Sequence, residues 1–211
     1  MLAATTIVVA SPMVPGAQSA LPNAADLAVR TQKRYESIRD FTADFTQTSV
    51  GLLQKRTTPE QGTILLKKPN RVRFTYRTPD RKEFVSDGSQ FYSYYARERA
   101  GSVYPLPKAN ESSTALLFLA GRGDLARDFT ASLPADQVPD EWHLRLVPKS
   151  KQADFDTLTL FLDRTTLALR GFVTTDDQGT NTIRFAKLKE NTGLADRAFV
   201  FTFPKGTEIS R

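Results

Sequence analysis

The chain has 211 residues, of which 40% are hydrophobic and 25% charged, and its 29 lysine and arginine residues exceed its 23 acidic residues by six. This composition is typical of one globular domain and argues against a disordered chain or a bundle of membrane-spanning helices. The lack of cysteine excludes disulfides, thiolate nucleophiles and cysteine-bound metals, while the positive charge favours anionic surfaces or an acidic partner.

The first twenty residues, MLAATTIVVASPMVPGAQSA, form an apolar stretch that ends in small residues. This pattern is typical of a secretory signal peptide cleaved within Ala17-Gln18-Ser19 or after Ala20, although the usual basic start is missing. We therefore predict a signal peptide over residues 1–20 and a single domain over residues 21–211; the missing basic start means either that the true start lies further upstream or that the resemblance to a signal peptide is accidental. No later segment reaches the roughly 18 apolar residues that a membrane-spanning helix needs.

A helical pattern begins at Asn23, a favourable N-cap residue, with Asp26 in the first turn. Apolar residues then recur at roughly helical spacing, at Leu27, Tyr35, Ile38, Phe41 and Phe45. The opposite face is charged. The sequence therefore predicts an amphipathic helix that lies on an apolar surface.

Two series of strands are predicted from a period of two and from turn signals rich in Pro, Asn, Asp and Gly. The first series covers residues 61–68, 71–77, 83–86 and 90–96, and the second covers residues 142–147, 155–162, 167–174, 182–189 and 198–203. Between them, the residues from Ser112 or Ser113 to Ala120 predict a short helix that is apolar on every side. We expect one long antiparallel sheet with two helical elements, an α+β fold.

Catalytic groups are scarce in this sequence. His143 is the only histidine, so no second histidine or cysteine can complete a metal or nucleophile site, and we interpret it as structural or solvated. The acidic residues stand in turn-like stretches, and no glycine-rich phosphate loop, nucleophile elbow or acidic calcium loop is present. We predict that the protein is not an enzyme and uses neither a metal nor another cofactor.

A basic stretch over residues 71–82 invites a nucleic-acid interpretation, because it mixes cations with aromatic residues. On a strand, alternation sends Phe74 and Tyr76 to one face and Arg71 and Arg73 to the other. Base stacking needs aromatic rings exposed beside the cations, so we predict no nucleic-acid partner and expect the arginines to face water.

The same alternation predicts a wide apolar wall on one concave side of the sheet. Its expected members are Ile64, Leu66, Val72, Phe74, Tyr76, Leu158, Leu160, Leu162, Phe199, Phe201 and Phe203. Such a wall is either core beneath the helices or a binding surface for an apolar ligand. The short apolar segment Ala115 to Ala120 favours a ligand, because it could serve as a lid over the wall.

Four stretches together resemble the LolA family of periplasmic lipoprotein carriers: GTILLKKPNRVRFTYRTPD, EFVSDGSQFYSYY, STALLFLAGRGD and FVFTFPKGTEI. The resemblance covers residues 23 to 209. It implies an incomplete, half-open antiparallel β-barrel that is covered by helices and encloses a hydrophobic cavity for acyl chains. It also implies a periplasmic monomer without a cofactor, which takes acylated lipoproteins from an inner-membrane LolCDE-type transporter to an outer-membrane LolB-type receptor.

The resemblance also implies which residues act. The positions matching cavity-facing residues of the family are Ile64, Leu66, Val72, Phe74, Leu116 and Leu119, with Tyr76 and Phe91 as additions. In the family, an arginine at the strand end before the Pro-Asn corner holds the lid helices closed, and the matching position here is Lys68. Because an ammonium is a point charge and lacks the planar fork of arginine, we predict a looser lid or an alternative latch.

Two rival functions keep the same fold. One is a carrier of a different envelope lipid, and the other is a periplasmic sensor module like the LolA-related domain of RseB. The absence of a second domain argues against the sensor, while the predicted cavity residues do not distinguish lipoproteins from other lipids.

Overall fold

The computed structural model of the protein describes residues 22–52, 58–106, 123–150 and 155–210. Within these ranges the chain forms one curved, open sheet of twelve strands together with two α-helices. The strands follow the order β12-β6-β5-β4-β3-β2-β1-β11-β10-β9-β8-β7. In the described part of the chain, no helix is long and apolar enough to span a membrane.

The strands are numbered here in chain order. They are β1 (Asp40–Gly51), β2 (Glu60–Lys67), β3 (Arg71–Thr78), β4 (Lys82–Asp87), β5 (Gln90–Tyr95), β6 (Ala100–Pro105), β7 (Phe129–Ser132), β8 (Glu141–Pro148), β9 (Thr157–Asp163), β10 (Leu169–Asp176), β11 (Gly179–Glu190) and β12 (Glu208–Ser210). Helix α1 (Ala24–Glu36) precedes β1, and helix α2 (Leu125–Asp128) precedes β7. All neighbours pair antiparallel except β12, which lies parallel to β6.

The two predicted series of strands are confirmed except for the last strand of the second series, and they join in the middle of the sheet where β1 pairs with β11. Four strands were not predicted: β1, whose first residues were assigned to the helix, and the short strands β6, β7 and β12. Strand β6 contains a glycine and ends in a proline, while β7 and β12 have only four and three residues. Such short or interrupted segments show too few alternations to predict a strand.

Helix α1 begins where the sequence predicts. The Asn23 side chain accepts hydrogen bonds from the main-chain nitrogens of Ala25 at 2.8 Å and Asp26 at 3.3 Å. The helix ends at Glu36, so the prediction that Phe41 and Phe45 belong to it is wrong, and both lie in β1. A spacing of four is also even, so it places two residues on one face of a strand as well as of a helix.

A continuous core lies on one face of the sheet, here called the inner face, where helix α1 packs against β7 and β8. The buried residues Leu27 and Tyr35 of the helix join Phe41, Leu146 and Leu160 there. On β3, Val72, Phe74 and Tyr76 are buried while Arg71 and Arg73 point to the other face. The predicted alternation of β3 is thus confirmed.

The predicted strand over residues 198–203 is wrong. The chain forms a short 3₁₀ helix at Asp196–Phe199 and then runs extended outside the sheet. Residues 194–206, here called the C-terminal strap, lie on the outer face of the sheet. The Phe201 ring lies 5.7 Å from the ring of Tyr92, whose side chain points away from the inner face. The predicted placement of Phe199, Phe201 and Phe203 on the inner wall is therefore also wrong.

The expectation that the arginines of β3 face water is wrong for Arg73, which contacts the strap. The Arg73 guanidinium pairs with Glu83 at 2.6 Å and donates to the Ala198 carbonyl at 3.1 Å. Lys67 forms an ion pair with Asp196 at 2.6 Å. Cations of β2 and β3 thus hold the strap, because its main-chain carbonyls need donors once the chain leaves the sheet.

Candidate functional site

The inner face of the sheet carries an aromatic cleft with a volume of about 640 Å³. Strands β3 to β6 supply one side and β10 and β11 the other, with β1 between them. The volume falls within the range of pockets that hold small ligands. The lining residues are Gln47, Phe74, Tyr76, Phe84, Phe91, Ser93, Tyr95, Ser102, Tyr104, Phe155, Phe172, Thr174, Asn181 and Ile183.

Strand register explains why aromatic rings collect here. Phe74 lies opposite Phe84, and Phe91 lies opposite Tyr104, so their side chains share the inner face. The rings of Phe84 and Phe91 are nearly parallel, with centres 6.3 Å apart, and the ring centres of Phe91 and Tyr104 are 5.4 Å apart. The contacts between rings across neighbouring strands form a continuous apolar wall on this side of the cleft.

The structure divides the predicted lipid-binding residues into three groups. Phe74, Tyr76 and Phe91 line the cleft. Ile64, Leu66 and Val72 lie in the closed core, with at most 1% of their surface exposed. The remaining two, Leu116 and Leu119, lie outside the described residues, as does the predicted lid segment Ala115 to Ala120.

Several lining residues were not predicted as site residues. Phe84, Tyr95 and Tyr104 continue the aromatic wall from β4 to β6. The alternation of Phe91, Ser93 and Tyr95 in QFYSYY was a usable signal, because all three point to one face of β5. The contribution of Phe172 and the other residues of β10 and β11 depends on the curvature of the sheet, which single-strand patterns do not show.

Two hydrogen bonds link polar side chains within the cleft. Ser93 and Ser102 pair with each other through their hydroxyl oxygens, 2.7 Å apart. The Tyr76 hydroxyl donates to the Gln47 side-chain oxygen at 2.5 Å, and burial raises the pKa of Tyr76 far above its usual value. Tyr76 is therefore a neutral hydrogen-bond donor here, and its ring remains available as an apolar surface.

The predicted latch residue, Lys68, lies at the corner between β2 and β3. Its ammonium donates a hydrogen bond to the Tyr35 main-chain carbonyl near the end of helix α1, and it lies 3.8 Å from the centre of the Tyr35 ring. Burial lowers the pKa of Lys68 to about 8, against an opposing effect of Glu36. One cation thus joins the corner of the sheet to the helix.

Two further contacts fix helix α1 in place. The Arg34 guanidinium donates to the Thr166 carbonyl at 2.7 Å and to Glu190 at 2.7 Å, so it joins the helix to the second half of the sheet. The Gln32 side chain accepts from the main-chain nitrogen of Leu125, at the start of α2, at 3.2 Å. The helix is therefore anchored at both halves of the sheet, beside the core.

His143 lies away from the cleft, on the outer face. Its ring packs against Phe161 with ring centres 4.8 Å apart, and its Nε2 atom is 3.6 Å from a Glu141 carboxylate oxygen. Across residues 22–52, 58–106, 123–150 and 155–210, no three residues of the metal-binding types His, Cys, Asp and Glu come together. The aromatic lining of the cleft is suited to an apolar ligand.

Known proteins resemble this chain in sequence. The sequence profile of the family described as outer membrane lipoprotein carrier protein LolA matches residues 36–202. The outer-membrane lipoprotein carrier protein of Nitrosomonas europaea is 31% identical over 173 residues, which cover 81% of this chain and 82% of that protein. The protein of the same name from Chromohalobacter salexigens is 30% identical over 201 residues, 93% of this chain and 94% of that one.

Among solved structures, an uncharacterised conserved protein from Thermus thermophilus shares the fold, with a TM-score of 0.55. The alignment covers 90% of this chain and 99% of that protein at 10% sequence identity. At this identity the likeness shows the fold alone.

Proposed function

Because this chain belongs to the LolA family, we propose that it is a periplasmic carrier that binds the acyl chains of lipoproteins in its aromatic cleft. Phe74, Tyr76 and Phe91 would contact the chains, while Ile64 and the other buried members of the predicted set would support the wall from behind. The predicted signal peptide over residues 1–20 would bring the domain over residues 21–211 to the periplasm.

The aromatic cleft is the observation that carries this proposal. Transfer of an acyl chain from hydrocarbon to water costs about 0.8 kcal/mol per CH₂ group, so a chain of about 14 carbons would cost on the order of 11 kcal/mol. A lipoprotein can cross an aqueous space only when its chains are covered. A cleft lined by Phe74, Phe84, Phe91 and Phe172 offers such a cover without any covalent chemistry.

The proposed mechanism is exchange between apolar sites. The carrier would take its cargo from an inner-membrane LolCDE-type transporter and would release it to an outer-membrane LolB-type receptor that offers a second apolar site. No bond breaks in such a transfer, so neither a cofactor nor a catalytic group is required. One carrier for each cargo molecule is consistent with a monomer.

Lys68 would act as a latch in this mechanism. In the structure it joins the β2–β3 corner to the Tyr35 carbonyl of helix α1. A single ammonium holds fewer acceptors than the guanidinium fork that the family resemblance implies at this position, so closure would be weaker. The proposed role of residues 115–120 as a lid lies outside the described part of the chain and remains a prediction.

Binding of acyl chains can be tested directly with the purified mature protein. A fluorescent fatty acid is titrated with the protein, and a triacylated lipopeptide and a phospholipid then compete for the bound probe. The proposal predicts saturable binding and displacement by the lipopeptide at lower concentration than by the phospholipid. Displacement by the phospholipid alone would instead identify the protein as a carrier of another envelope lipid.

A further inference from the structure

Three polar side chains interrupt the apolar lining of the cleft at one end, where β10 turns into β11. Thr174 lies directly opposite Asn181 in the sheet, and Gln47 lies opposite Ile183, two residues along β11 from Asn181. All three side chains line the cleft and are half-buried. Helix α1 packs at the other end of the sheet, since β1 follows the helix and Gln47 stands near the far end of β1.

The hydrogen bonds of these side chains leave donors free. The Gln47 oxygen accepts from the Tyr76 hydroxyl at 2.5 Å, and the Asn181 oxygen accepts from the Ser49 hydroxyl at 3.1 Å. The amide nitrogens of Gln47 and Asn181 and the hydroxyl of Thr174 have no partner among the described residues. Ser93 and Ser102 also line the cleft, but their hydroxyl groups form a hydrogen bond with each other.

Free donors in an apolar cleft select a particular kind of ligand atom. A polar group that leaves water without a hydrogen bond is costly, so these donors favour a ligand that brings acceptors to them. Phe172 and Ile183 lie beside them and disfavour a charged acceptor. The nearby ammonium of Lys82 is already paired with Glu60 at 2.7 Å, so it provides no unpaired charge for a carboxylate or a phosphate. An uncharged carbonyl oxygen fits best.

We propose that Gln47, Thr174 and Asn181 bind the ester carbonyls that join acyl chains to glycerol in the cargo. This inference rests on the proposed function, because it assigns an orientation to the bound lipid. The carbonyls would lie at the β10–β11 end of the cleft, and the hydrocarbon chains would extend along the aromatic wall of Phe74, Phe84 and Phe91. These three polar residues would then set the preference for ester-linked lipids.

Ester-linked and ether-linked lipids of equal chain length test this proposal. A diacylglyceryl lipopeptide and its dialkyl ether analogue compete for a bound fluorescent fatty acid. Loss of one or two neutral hydrogen bonds should make the ether analogue about 3-fold to 10-fold weaker for the native protein. In the double variant with Thr174→Val and Asn181→Leu, both lipopeptides should bind with the same affinity. Gln47 stays unchanged because it also holds Tyr76.

The control variant is Thr182→Val, on the neighbouring residue of β11, whose side chain points to the outer face. It should keep the full preference for the ester. Equal binding of ester and ether by the native protein would overturn the ester site while leaving acyl binding intact. A preference that survives in the double variant would also overturn it. Failure of both lipopeptides to bind would overturn the proposed function itself.

Ester carbonyls also occur in phospholipids, so a second arm identifies the source. A diacyl phospholipid and its dialkyl ether analogue are compared in the same competition experiment. A preference for the ester in both pairs supports recognition of the ester alone. A preference confined to the lipopeptide pair supports the ester site and assigns its ligand to the lipoprotein.

Discussion

The ammonium of Lys68 lies 3.8 Å from the centre of the Tyr35 ring and donates a hydrogen bond to the main-chain carbonyl of the same residue. One side chain of the β2–β3 corner thus holds the last turn of helix α1 by two different interactions. Burial lowers the pKa of this ammonium to about 8 from its usual 10.5, although Glu36 acts in the opposite direction.

The lowered pKa of Lys68 predicts a specific dependence of stability on pH. Between about pH 8 and pH 10.5 the unfolded chain keeps a proton on Lys68 that the folded protein has lost, so the free energy of unfolding should rise with pH. We expect a rise of about 1 kcal/mol relative to Lys68→Met, since solvent screens a half-buried group. Urea unfolding of both proteins across this pH range measures the difference.

A control for this experiment is Lys189→Met, which removes an exposed lysine of β11. The difference in the free energy of unfolding between native protein and this control should stay constant across the same pH range. A constant difference for Lys68→Met as well would show that the Lys68 ammonium has the same pKa in the folded and unfolded chain.

A carboxylate placed in the aromatic cleft should abolish acyl binding. Phe91→Glu adds a charge at a half-buried position of the wall, and we expect affinity for a fluorescent fatty acid to fall at least about tenfold. Phe74→Glu should do the same, but its deeper burial makes unfolding a competing outcome. Thr46→Glu adds the same charge to the outer face of β1 and should bind like the native protein. Undiminished binding by folded Phe91→Glu would place the lipid elsewhere.

We expect the C-terminal strap to contribute to stability through packing more than through its ion pairs. Phe199 belongs to the strap and is only 1% exposed, so Phe199→Ala should lower the free energy of unfolding by about 3 kcal/mol. Asp196 pairs with Lys67 and Arg71 at the solvent-exposed surface, so Asp196→Ala should have a much smaller effect. Chemical denaturation of both variants compares them, and the reverse order would contradict the observed burial.

Asp40 joins the start of β1 to the loop after β11. Its carboxylate accepts from the main-chain nitrogen of Thr192 at 2.7 Å, from the Thr192 hydroxyl at 2.9 Å and from the Gly193 nitrogen at 3.1 Å. Burial raises the pKa of this carboxyl, but the hydrogen bonds to Thr192 and its neighbours together outweigh burial and lower it.

We expect Asp40→Asn to lose about 2 kcal/mol of stability at neutral pH, because hydrogen bonds to a charged acceptor are lost. The stabilisation is present above the usual carboxyl pKa of 3.8 and disappears as the pH falls through the lower pKa of the folded state. The free energies of unfolding of native protein and variant, measured across acidic pH, should therefore converge at low pH. A difference in the free energy of unfolding that stays constant down to the lowest pH would show that the charge of Asp40 contributes nothing to stability.

Local sequence patterns predicted most of the sheet and part of the cleft. Alternation in β3 correctly separated Phe74 and Tyr76 from the arginines, because each face of a strand meets one environment. The start of helix α1 at Asn23 followed from the capping preference of asparagine. These features depend only on residues close together in the chain.

The remaining features depend on contacts between distant segments. Phe201 and Phe203 alternate as strand residues do, yet they pack on the outer face of β5 and β6. There Gly101 leaves space for the Phe203 ring, since a β-carbon at Gly101 would clash with that ring. Likewise, Phe172 reaches the cleft only because the sheet curves. Sequence periodicity reports which residues share a face, but not which faces meet.

Cells stripped of their outer membrane can show whether the protein carries lipoproteins. The purified mature protein is incubated with these cells, and the soluble fraction is separated and examined for lipoproteins in complex with it. If the protein carries lipoproteins, native protein and Thr46→Glu should release them, whereas Phe91→Glu should not. Release of free lipids with no lipoprotein in the complex would show that lipoproteins are not its cargo.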